Sequence, residues 1–126
     1  MTKAMNVLDT LAFACMLDTS INVIVVYPTH LLYESIKQLF DNKGSAFLMP
    51  DKRLIVIDGD VVQQPWFTKN HLLIIEAHEL GHLYTKTDDE RTADIFGYKL
   101  LRKKNKLNAA KIYARLIYDR YKITIN

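Results

Sequence analysis

Residues Glu76 to Asp94 read EAHELGHLYTKTDDERTAD, two histidines among many carboxylates. The first part continues the apolar run HLLIIEAHELGHLY (71–84), which predicts a buried helix beginning between Thr68 and Asn70. His78, Glu79 and His82 on that helix form an HExxH pattern. A spacing of four residues puts both imidazoles on one face, one turn apart, within reach of a single zinc ion. Glu79, turned about 100° from His78, points alongside such an ion, which suits a base acting on its water. Gly81 lets another backbone come close, although glycine weakens an isolated helix by about 1 kcal/mol relative to alanine. Leu73, Ala77, Leu80 and Tyr84 supply a separate packing stripe.

A catalytic zinc needs a third protein ligand and one open position. Asp88, Asp89, Glu90 and Asp94 all lie within reach. Thr87 to Glu90 also matches a capping box, with Thr87 opening the next helix and Glu90 reaching back to its amide. Asp88 and Asp89 suit the positive end of that helix dipole. Glu90 and Asp94, however, are i and i+4 and share a face with Gly97 and Leu101. One can take the metal while the other accepts a hydrogen bond from the second nitrogen of a ligating histidine. Glu90 is the favoured ligand and Asp94 the outer partner. An arrangement with Asp94 on the metal in place of Glu90 is the nearest chemical rival.

Outward from this centre, the chain alternates short elements. MTKAMNVLDTLAFACMLDTS (1–20) predicts an amphipathic helix with Leu8, Leu11, Ala12 and Cys15 on one side rather than a signal peptide, because Asn6, Asp9 and Asp18 break the apolar run. Ile21 to Tyr27 is a β-branched strand candidate. THLLYESIKQLFDNKG (29–44) predicts a helix capped by Thr29, striped by Leu32, Ile36, Leu39 and Phe40, and stopped by Gly44. SAFLMPDKRLIVID (45–58) predicts two strands turning at Pro50, Asp51 and Lys52. A last helix is capped by Asn108 and buries Ile112, Tyr113, Leu116 and Ile117. The order predicts an α+β class, a small sheet packed on helices, with residues 1–126 as one domain.

With 49% hydrophobic and 25% charged residues, the composition is that of a soluble globular chain. A net charge of +3 is too mild to imply a nucleic-acid partner. The basic run Lys99, Arg102, Lys103, Lys104, Lys106 and Lys111 reads as a solvated face. One cysteine, Cys15, allows no intrachain disulfide and favours a reducing, cytoplasmic setting. No run of residues is long enough to span a bilayer, so no membrane partner is expected.

AHELGH (77–82) followed by ERTADIF (90–96) resembles the ImmA/IrrE-type metallopeptidases, which are gluzincins. The likeness covers about residues 77–101, and the chain's length is similar to that of the minigluzincins. It implies a zincin-like fold, a bound Zn2+, His78, His82 and Glu90 as ligands, and Glu79 as catalytic base. Asp94 falls on the family's Asn/Asp position. The resemblance further implies hydrolysis of a protein or peptide substrate, such as a regulatory protein, held along an edge strand, either Phe47–Met49 or Leu54–Ile57. Only residues 83–89 join His82 to Glu90, a shorter connection than is usual there, so the turn must be tight.

Two other classes fit parts of the sequence. A non-catalytic zinc-binding regulator would use the same ligands but would not need Glu79. A nucleic-acid binder would use the basic run. Oxyanion stabilisation needs a donor as well; His71, Tyr98 and Tyr113 are available and none is singled out, and His30 receives no role.

Overall fold

Residues 10–14, expected on a helix, form a strand instead. The protein is described by a computed structural model over residues 9–125. Strand β1 (Thr10–Ala14) pairs antiparallel with β2 (Asn22–Val26), Thr10 opposite Val26 and Ala14 opposite Asn22. Among the described residues the expected one-sided stripe is absent. Cys15 is buried, whereas Leu11 and Ala12 are exposed, and Leu8 lies outside the described residues. Short apolar runs fit both periods, and here pairing with the β-branched NVIVV strand decides.

The chain's contacts fall into two compact units, one ending at Phe67 and the other beginning at Thr68. Among the described residues the first unit holds a four-stranded mixed sheet in the order β1-β2-β4-β3, with β3 at Ala46–Met49 and β4 at Leu54–Asp58. The hairpin of β3 and β4 turns through a 3-10 segment, Pro50–Lys52, as the sequence predicts. Strand β4 runs parallel to β2, with Ile24 opposite Val56. Parallel neighbours require a crossover, and helix α1 (Tyr33–Lys43) lies within it. Of the two strands offered as a substrate edge, β4 is paired on both sides and is no edge; among the described residues β3 is one.

Helix α1 starts later than its Thr29 cap predicts. His30 Nδ1 accepts from the Leu32 amide at 3.0 Å, and the Tyr33 amide donates to the His30 carbonyl at 3.0 Å, so this turn holds the backbone outside the helix. The buried stripe is accordingly Tyr33, half-buried Ile36 and Phe40, while Leu32 and Leu39 face solvent. Tyr33 and Phe40 join Val26, Phe47 and Val56 in one apolar cluster. Gly44 ends the helix at φ +95°, a left-handed conformation that side chains disfavour. A short helix, α2 (Gly59–Val62), follows β4, its amide at Asp60 received by Asp58.

The second unit is three helices: α3 (Lys69–Thr85), α4 (Glu90–Lys103) and α5 (Leu107–Tyr121). Thr68 begins α3 where the sequence places its start. Leu73, Ala77 and Leu80 are buried as expected; Tyr84 is not, and stands edge-on to Phe96 with ring centres 5.7 Å apart. Two glycines bring α3 and α4 together. A Cβ on Gly81 would meet the Ala93 Cα at 2.9 Å, and one on Gly97 would meet the Ala77 carbonyl carbon at 2.9 Å. Helix α5 begins at Leu107 rather than after Asn108, because Asn105 turns left-handed at φ 61° just before it. Its fully buried side chains are Ala109, Ala110, Tyr113 and Ile117, with Ile112 and Leu116 half-buried. Among the described residues, no helix is long and apolar enough to cross a membrane.

Candidate metal centre

The close approach of α3 and α4 sets the site. His78 and His82 project from one face of α3, their rings 4.7 Å apart and perpendicular at 89°. Glu90 is the first residue of α4, not the third position of a capping box. The expected Thr87 cap is replaced by Asp89, whose Oδ2 accepts from the Thr92 amide at 2.8 Å. Beginning the helix two residues late keeps the Glu90 side chain off its own backbone and turns it toward α3. Its Oε1 lies 2.6 Å from His82 Nε2, and its Oε2 lies 3.3 Å from His78 Nε2.

The far nitrogens of both rings are held by acceptors. His78 Nδ1 donates to Asp94 Oδ1 at 2.7 Å, and His82 Nδ1 donates to the Thr87 carbonyl at 2.8 Å. An ionised carboxylate and a carbonyl can only accept, so each fixes its histidine in the tautomer with Nδ1 protonated. Both Nε2 atoms then carry lone pairs, 3.2 Å apart, facing a carboxylate. Lone pairs and a negative charge at that distance repel unless a cation or a proton stands among them. The ligand atoms of His78, His82 and Glu90 all lie within 4.8 Å of one another, and together they can hold a metal ion.

Asp94 is fully buried. Burial alone would raise its pKa, but hydrogen bonds from His78, Tyr113 and Tyr121 outweigh that and hold it well below the usual carboxylate range. Burial opposes the charged form of His78, yet its bond to Asp94 and the charges of Glu79, Asp94 and Glu90 raise its pKa above the ordinary value. Glu79 is buried beside the histidines and acts on His78 by its charge.

The remaining sequence candidates, Tyr113 excepted, lie elsewhere. His71 sits at the start of α3, where its Nδ1 accepts from the Thr68 amide at 3.1 Å. Asp88 is exposed, and Asp89 is the helix cap. Tyr98 OH accepts from Arg102 Nη1 at 3.3 Å, and Tyr113 OH donates to Asp94 at 2.6 Å. Lys99, Arg102, Lys103, Lys104, Lys106 and Lys111 are all exposed.

Three contributors escape the sequence reading. The Thr87 carbonyl is backbone, so no residue type announces it. Arg120 and Tyr121, which also bond to Asp94, are signalled only by spacing. They stand seven and eight residues beyond Tyr113, two turns along one face of α5. No protein-family model, curated protein or solved structure matches this chain.

Proposed function

We propose that the protein is a zinc-dependent metallopeptidase of minimal gluzincin type, acting on a protein or peptide in a cytoplasmic setting. The observation that carries this reading is the convergence of His78 Nε2, His82 Nε2 and the Glu90 carboxylate, each histidine held from behind in the tautomer a metal needs. Ligands about 2.0–2.1 Å from a tetrahedral zinc stand about 3.3 Å from one another. Two of the ligand pairs here, at 3.2 and 3.3 Å, match that spacing. Two imidazoles and one carboxylate leave one position open, as a catalytic rather than a structural site requires.

Zinc held by His78, His82 and Glu90 would supply Lewis acidity, which lowers the pKa of water to about 7 and polarises a scissile carbonyl. Glu79 takes the proton of the attacking water and delivers it to the leaving amine as the C–N bond breaks. Glu90 and the two histidines bind, and Asp94 and the Thr87 carbonyl orient. The presence of Glu79 favours turnover over a purely structural role, since ligands alone would hold the metal.

Glu79→Gln tests the reading. The variant should retain one zinc per chain while losing hydrolysis of an unfolded protein such as casein. Equal cleavage by the variant would remove Glu79 from the chemistry. A zinc-loaded wild type that cleaves neither casein nor a mixed peptide library would favour a non-catalytic zinc-binding regulator.

A further inference from the structure

Four donors converge on one carboxylate that solvent does not reach. Asp94 Oδ1 accepts from His78 Nδ1 at 2.7 Å and Tyr113 OH at 2.6 Å. Its Oδ2 accepts from Arg120 Nη1 at 3.0 Å and Tyr121 OH at 2.6 Å. Only Oδ1 touches the histidine. The two bonds on Oδ2 therefore fix the rotation of the carboxylate, and with it the direction in which Oδ1 presents its lone pair. A buried carboxylate also needs compensating charge, and Arg120 provides it from the surface, its side chain 56% exposed.

The same turn of α5 grips α4 a second time. The Arg91 guanidinium lies 5.8 Å above the Tyr121 ring, and Arg91 is the neighbour of Glu90. Helix α5 ends immediately afterwards, with Lys122 left-handed at φ 57° and its amide on the Tyr118 carbonyl. One exposed helix end thus holds the turn of α4 that carries both Glu90 and Asp94.

We propose that Arg120 and Tyr121 are positioning residues of the metal centre: by clamping Asp94 they fix the His78 imidazole, so docking of the last turn of α5 sets metal affinity. This rests on the metal-centre reading above. Outer partners of metal-bound histidines are worth roughly 10–100-fold in affinity.

The test is the zinc dissociation constant of the full chain, measured by competition with a chromophoric chelator. Arg120→Gln and Tyr121→Phe should each weaken zinc by roughly tenfold, and Arg120→Lys should recover part of the loss. In an Asp94→Asn background, Arg120→Gln should add nothing, because its route to the metal is already cut. Arg115→Gln, on the exposed side of α5, should leave affinity unchanged. Circular dichroism of the metal-free variants identifies those that fold; Tyr121→Phe removes a single oxygen and carries the test if Arg120→Gln does not fold. Folded variants with wild-type affinity, or equal losses with and without Asp94, overturn the proposal and leave the metal centre standing. A wild-type chain that binds no zinc overturns both.

Discussion

His82 Nε2 and Glu90 Oε1 lie 2.6 Å apart, at the two ends of a connection formed by residues 83–89. The turn achieves this because Lys86 adopts a left-handed conformation at φ 55° and the Thr87 carbonyl folds back onto His82 Nδ1. The backbone that joins His82 to Glu90 is itself part of the support of His82. Glu90→Ala should therefore weaken zinc binding by more than the roughly 10–100-fold expected when an outer partner is changed, as in Asp94→Ala. Equilibrium dialysis of the two variants checks the order; emptying by Asp94→Ala alone would move the ligand assignment to Asp94.

Thr87 and Asp89 separate two accounts of the start of α4. The Thr87 side chain accepts from the Asp89 amide, at 3.1 Å, whereas Asp89 caps the helix. Thr87→Ala should leave zinc affinity within about twofold, since the backbone carbonyl that holds His82 remains. Asp89→Ala should lower the thermal midpoint more than Thr87→Ala does. The reverse order would restore the Thr87 cap that the sequence predicts.

Gly81 faces the backbone of Ala93 across the helix contact. A methyl group there has backbone as its obstacle, which cannot rotate aside, so α4 must move away. Gly81→Ala should cost about 1–3 kcal/mol in urea unfolding, despite the higher helix propensity of alanine, and should weaken zinc binding by drawing Glu90 from the histidines. A stabilised variant with unchanged affinity would contradict the close approach.

The network around Asp94 gives the metal-free protein a defined pH response. The folded-state pKa of Asp94 is depressed, so its contribution is present above its ordinary value of 3.8 and is lost as pH falls toward the folded value. Tyr121 shows the opposite sense: burial and its bond to Asp94 push the hydroxyl up to about 12, so its contribution holds below 10.0 and fades as pH rises through about 12. Urea unfolding across both limbs should show the acid limb flattened by Asp94→Asn and the alkaline limb flattened by Tyr121→Phe. Zinc affinity should fall as pH drops through the pKa of His78, which lies above 6.5, because protons compete for its Nε2.

The HExxH helix, the hairpin and the α+β class were legible because strong periodicity and local turn residues specify them. Glu90 and Asp94 were legible as a pair through their spacing of four. Strand β1 was not, since TLAFA fits either period and its fate depends on pairing with residues 22–26. The starts of α1, α4 and α5 shifted for local reasons: the His30 side chain, Asp89 in place of Thr87, and left-handed Asn105. The support of Asp94 by Arg120 and Tyr121 depends on how α5 packs, which a tyrosine and an arginine in a helix do not announce.

X-ray absorption at the zinc edge, on the purified chain loaded with one equivalent, reads the atoms around the metal themselves. The arrangement predicts nitrogen and oxygen donors at about 2.0–2.1 Å, with the multiple-scattering signature of two imidazoles that falls to one in His82→Ala. A spectrum of hydrated zinc, or an imidazole count that His82→Ala leaves unchanged, would contradict it.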